Sequence, residues 1–116
     1  MKAKLILLTI IMGALTAMSQ TKQTTEFMVY GNCGMCENRI EKAVNIEGVD
    51  KADWNSETKM MSITFEPSLV ELDQIHKKIA TAGHDTDEAF AKDEVYDKLP
   101  GCCKYKRSDK AASQVQ

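Results

Sequence analysis

Between Thr24 and Phe90 the hydrophobic period switches back and forth between two residues and about 3.6, and the order of those switches leaves few folds open. Thr24 to Tyr30 reads as a strand, with Phe27 and Val29 on one face and Met28 and Tyr30 on the other. From Cys36 onward Ile40, Ala43 and Val44 recur at spacings of three and four, the stripe of a helix lying on a sheet, and Gly48 ends that segment. Val49 to Trp54 is a second strand whose Ala52 and Trp54 share a face, and Asn55 to Thr58 has turn composition. Lys59 to Phe65 alternates cleanly, Met61, Ile63 and Phe65 inward and Met60, Ser62 and Thr64 outward. After Pro67, Ser68 and Glu71 form a capping box ahead of a buried stripe of Leu69, Leu72, Ile75 and Ile79. Gly83 stops this helix, and His84 to Ala89 is a short final strand. Strand, helix, strand, strand, helix, strand is the order of an α+β, ferredoxin-like βαββαβ sandwich, a four-stranded antiparallel sheet with two helices on one face.

The chemistry concentrates where the first strand meets the first helix. Gly31-Asn32-Cys33-Gly34-Met35-Cys36 puts one thiol on a loop and the other in the helix's first turn. Unpaired N–H groups and the positive end of the helix dipole favour negative charge there, so the Cys36 thiolate is expected to form more easily than that of a free cysteine. A thiolate is both nucleophile and metal ligand. Two of them on a bendable loop suit a soft ion such as Cu(I), Zn(II) or Hg(II). The same spacing also occurs in half zinc sites, redox dithiols and soft-metal carriers.

Met1-Lys2-Ala3-Lys4 is basic, and Leu5 to Ala14 is nearly all apolar. Ala17-Met18-Ser19 then offers small residues where a signal peptidase reads, so residues 1–19 are expected to be a signal peptide cleaved before Gln20. The apolar stretch is shorter than the roughly 20 residues a spanning helix needs. An exported protein, periplasmic or secreted, without stable membrane association after cleavage, is the expectation. Cleavage would remove two of the 15 basic residues and none of the 17 acidic ones, leaving a mildly acidic chain that argues against nucleic acid as a partner. Three Phe, three Tyr and one Trp suffice for one small core.

After Phe90 the composition changes. Ala91 to Leu99 is highly charged with the makings of a short helix, Pro100-Gly101 is a turn, and Cys102-Cys103 follows amid Lys104, Tyr105, Lys106 and Arg107. Residues 108–116 are small and polar and are expected to be disordered. A disulfide between adjacent cysteines closes a strained ring, so another use of these thiols is expected. One reading folds the tail back to add one or two thiolates to Cys33 and Cys36; residues 91–101, fully extended, reach roughly 33–36 Å. The other follows from export: in an oxidising compartment one tail cysteine staples the tail to the domain as a disulfide.

The CxxC loop at the first helix, Gly48-Val49 at the second strand and Ala82-Gly83-His84 after the second helix together resemble the heavy-metal-associated domain, the fold of soft-metal chaperones, mercuric-ion-binding proteins and metal-binding modules of P-type ATPases. The resemblance spans residues 24–90, with 1–19 as signal peptide and 91–116 as a charged extension. It implies Cu(I), or else Hg(II) or Zn(II), held by Cys33 and Cys36 in near-linear two-sulfur coordination. The ion would pass by ligand exchange to a partner such as a P-type ATPase or another membrane transporter. Two departures stand out. Gly31-Asn32 replaces the family's Met-Thr or Met-His before the first cysteine, which removes a buried methionine anchor. His84 stands where the family usually has Tyr, Phe or Lys near the metal, as a third ligand, a hydrogen-bond partner of the site, or a surface residue without a role.

Other features take plainer readings. Met28, Met60 and Met61 are expected to fill core space, His76 to be solvated at the edge of its helix stripe, and Lys104, Lys106 and Arg107 are too few for a nucleic-acid footprint. The principal reading is a metal-binding protein and not an enzyme. Its rival is a thiol-disulfide oxidoreductase using Cys33 and Cys36, against which stands the absence of a Trp-Cys-Gly-Pro-Cys loop.

Overall fold

A computed structural model of the chain describes residues 21–114, so the expected signal segment lies outside the described residues. Strands β1 (Gln23–Met28), β2 (Val49–Trp54) and β3 (Met60–Phe65) form one antiparallel sheet in the order β1-β3-β2. β3, flanked on both sides, carries the cleanest alternation, and its Met61, Ile63 and Phe65 are buried. The register aligns Phe27, Met61 and Trp54 in one rung across the sheet. Onto this face pack helix α1 (Gly34–Ala43) through Cys36 and Ile40, and helix α2 (Leu72–Thr81) through Ile75, His76, Ile79 and Ala80. Each isoleucine taken fully out of water contributes about 1.5–3 kcal/mol, which fixes both helices to the sheet. Among the described residues no helix is long and apolar enough to cross a membrane.

Among the described residues the sheet has three strands, not the four expected. The segment from His84 to Ala89 makes only an isolated antiparallel bridge between Val29 and Thr86. Side chains here compete with the ladder. Thr86 Oγ1 accepts from the N–H groups of Glu88 and Ala89, and the Thr86 N–H donates to Ala89 O, which closes a turn where strand pairing would have continued. The Met28 N–H donates to the Asp87 carboxylate rather than to a backbone carbonyl.

Four further expectations are corrected around α2 and the tail. The N-cap of α2 is Glu71, whose capping box is completed by Gln74, not Ser68 paired with Glu71. A turn over residues 67–69 intervenes, so Val70 rather than Leu69 enters the core, and Leu69 is 51% exposed. Val70 packs against Gly48, whose φ of +94° and close contact, 2.8 Å from an added Cβ to Val70, leave room only for glycine. His76 is buried, not solvated: its Nδ1 lies 2.6 Å from Thr86 Oγ1 and its ring packs on Phe27. Residues 109–114 are helical rather than disordered.

The charged segment forms α3 (Asp93–Asp97), followed by a 3-10 turn, Gly101–Cys103, and α4 (Asp109–Gln114), which packs through Ala111. Leu99, Cys103 and Tyr105 join the same core as the sheet residues. Met61 fills core space as expected, while Met28 and Met60 pair in register, half-buried, on the opposite face.

Candidate metal centre

The cysteine loop is seated on Trp54. The indole Nε1–H donates to Val29 O at 3.0 Å, and the ring lies beneath Gly31, where an added Cβ would stand 3.0 Å from Trp54 Cη2 and 3.2 Å from Cys36 Cβ. Gly31 thus lets an aromatic ring from β2 support the loop in place of the missing methionine anchor.

Cys33 is the N-cap of α1 and Cys36 lies in its first turn, with the two sulfurs 3.8 Å apart. Their environments differ in the opposite sense to the one expected from position alone. Cys33 is half-exposed, and the first-turn N–H groups of Cys36 and Met35 lower its thiol to about 7. Cys36 points into the core and is fully buried; desolvation, then the neighbouring thiol of Cys103, raises it to about 11. Burial outweighs the helix dipole at Cys36, and Cys33 receives the dipole's benefit.

The tail returns to this loop. Cys103 is fully buried, and its sulfur, with those of Cys33 and Cys36, forms a group in which all three lie within 4.8 Å of one another. Cys102 is exposed and lies outside that group, its sulfur 3.9 Å from Cys103 Sγ and 3.9 Å from Met35 Sδ. All four cysteines are free thiols in the structure.

His84 is neither exposed nor part of the sulfur group. It is fully buried, its Nδ1–H donates to Tyr30 O at 2.8 Å, and its ring stacks on Tyr105. Burial lowers its pKa, so the ring is neutral and Nε2 carries an unpartnered lone pair. It braces the residue that precedes the loop against the tail.

Sequence reasoning missed what locks the tail. The Tyr105 hydroxyl donates to Gly83 O at 2.7 Å and accepts from the Asp85 N–H at 2.9 Å. The Arg107 guanidinium meets the fully buried Asp85 carboxylate twice, both at 2.9 Å, and also bonds Asp93 and Ala91 O. An acid just past the Gly83 that stops the second helix, with an aromatic and an arginine near the pair of tail cysteines, was the available signal.

Known proteins match the part of the chain that carries the cysteine loop. Residues 27–85 match the heavy-metal-associated domain. The chain is 42% identical over 65 residues to a copper-exporting P-type ATPase of Staphylococcus saprophyticus, covering 54% of this chain and 8% of that one. It is 36% identical over 55 residues to the copper chaperone CopZ of Staphylococcus aureus, covering 47% of this chain and 81% of that one. Among solved structures, oxidized MerP from Ralstonia metallidurans superposes with a TM-score of 0.55 at 30% identity, over 58% of this chain and 96% of that one. With its ferredoxin-like α+β core and its paired cysteines at the start of α1, this chain belongs to the heavy-metal-associated domain family.

Proposed function

We propose that this protein is an exported carrier or scavenger of a soft metal ion, foremost Cu(I), bound through Cys33 and Cys36 and passed on by thiolate ligand exchange. The observation that carries this reading is the pair of free sulfurs 3.8 Å apart, one of them half-exposed. Soft thiolates match a soft ion. The half-exposed sulfur of Cys33 is the one a partner's thiolate displaces first, while Cys36 holds the ion from the buried side. Copper chaperone and copper-ATPase relatives support copper over Hg(II) or Zn(II), and make a P-type ATPase or another membrane transporter the natural recipient. The amino-terminal sequence supports export. Protein purified under strictly reducing conditions should bind one Cu(I) through these two residues; a chain that takes up no soft metal would overturn the reading.

The asymmetry of the two thiols favours one second reading, a thiol-disulfide oxidoreductase. A thiol lowered to about 7 beside a buried partner raised to about 11 is the arrangement of a nucleophilic and a resolving cysteine. Turnover in a dithiol-driven disulfide reduction assay, lost in Cys33→Ser, would favour this reading over the carrier.

A further inference from the structure

We propose that Cys103 is a third thiolate of the metal site, delivered by a tail that closes over the loop, so that the ion is held in a three-sulfur ring rather than a linear pair. This rests on the reading of Cys33 and Cys36 as ligands. Three sulfurs each about 2.3 Å from a central ion form a triangle about 4 Å on a side, whereas a linear pair at that bond length needs its sulfurs about 4.6 Å apart. Cys33 and Cys36 are 3.8 Å apart, close to a side of the triangle and short of a linear pair, and Cys103 completes a group whose three sulfurs lie within 4.8 Å of one another.

The third sulfur is held in place, not carried on a loose arm. Cys103 sits in a 3-10 turn closed by its own N–H bonding Pro100 O at 2.8 Å. Two residues on, Tyr105 is 3% exposed and bonded to both Gly83 and Asp85; four residues on, Arg107 pairs with Asp85. Tyr96 adds a hydrogen bond from its hydroxyl to Tyr105 O. The ordering cost of bringing the tail to the site is therefore already met in the folded chain, which favours binding. On metal entry three S–H bonds give way to three metal–sulfur bonds and three protons leave. Around Cu(I) this leaves two net negative charges, set against the amino-terminal end of α1.

Release then requires the tail to let go, which makes the protein a holder of its ion more than a rapid shuttle. Cys102, outside the ring, is not a ligand and serves as the control.

X-ray absorption of the Cu(I)-loaded, reduced full chain should find three sulfurs per copper in the wild type and in Cys102→Ser, and two in Cys103→Ser. Cys103→Ser should also lose Cu(I) to a competing chelator about tenfold faster or more, with circular dichroism and Trp54 emission confirming that it is folded. Two sulfurs in the wild type, or a count and release rate unaltered by Cys103→Ser, would overturn the three-thiolate site while leaving the Cys33/Cys36 carrier intact. Failure of the carrier reading looks different: no copper is retained by the wild type, or Cys33→Ser/Cys36→Ser retains it all.

Discussion

Replacing Arg107 by Met tests whether the tail is latched by its ion pair. The Asp85 carboxylate is fully buried and accepts from two guanidinium nitrogens and from the Ala91 N–H, while the Arg107 side chain is 15% exposed. Removing one partner of a buried pair costs about 3–5 kcal/mol because the other is left uncompensated; partial exposure of the guanidinium brings the expected loss to about 2–4 kcal/mol. If the tail undocks as a unit, its open population rises by about 30- to 700-fold, at about 1.4 kcal/mol per tenfold. Cys103 reports this directly, since it is fully buried when the tail is docked. In metal-free, reduced protein the rate at which iodoacetamide modifies Cys103, resolved by mass mapping, should increase by that factor in Arg107→Met. The double variant Asp85→Asn/Arg107→Met removes the stranded charge and should recover much of the protection, since the Asn side-chain carbonyl can still accept from Ala91. An increase below about threefold in the single variant, or a double variant as leaky as the sum of both singles, would refute the latch.

In the same metal-free protein, alkylation of Cys33 should rise with pH through about 7, while Cys36 stays protected until far higher pH; Cys36 reacting first would refute the assignment of the two thiols. Burial lowers the pKa of both His76 and His84, so between the unfolded value of 6.5 and their lower folded values the unfolded chain binds more protons. Urea-derived stability should therefore fall as pH drops below about 6.5, and His76→Gln should flatten part of that slope; a constant stability from pH 7 to 5 would contradict it. Gly31→Ala forces a Cβ to within 3.0 Å of the rigid Trp54 ring and should cost about 1–3 kcal/mol with a shift in Trp54 emission, whereas an unchanged denaturation midpoint would show that the loop does not rest on the ring.

The parts of this molecule that were legible in the sequence are those governed by local period and spacing. The alternation of Met61, Ile63 and Phe65 marked the central strand, and the three-and-four spacing after Cys36 marked α1, because buried faces impose those periods directly. The edges were less legible. Whether His84 to Ala89 pairs as a strand depends on Thr86 and Asp87 side chains capturing backbone groups, a competition that residue type alone does not decide. The N-cap of α2 moved to Glu71 because Val70, packed on Gly48, took the core position that Leu69's spacing suggested. At the site, position on the helix suggested an acidic Cys36, but depth is a tertiary property and it reversed the order of the two thiols. The spare thiols at 102 and 103 were visible as an oddity and their reach was calculable. Which of the two turns inward depended on Tyr105 and Arg107 finding Gly83 and Asp85, contacts about 20 residues apart in the chain.

The most direct measurement is a Cu(I) titration of the reduced chain, residues 20–116, in competition with a chromophoric chelator, alongside Cys33→Ser/Cys36→Ser. A thiolate carrier predicts one tightly held Cu(I) per chain in the wild type and its loss in the double variant. Full affinity in the double variant, or a wild type that leaves all copper with the chelator, would contradict it.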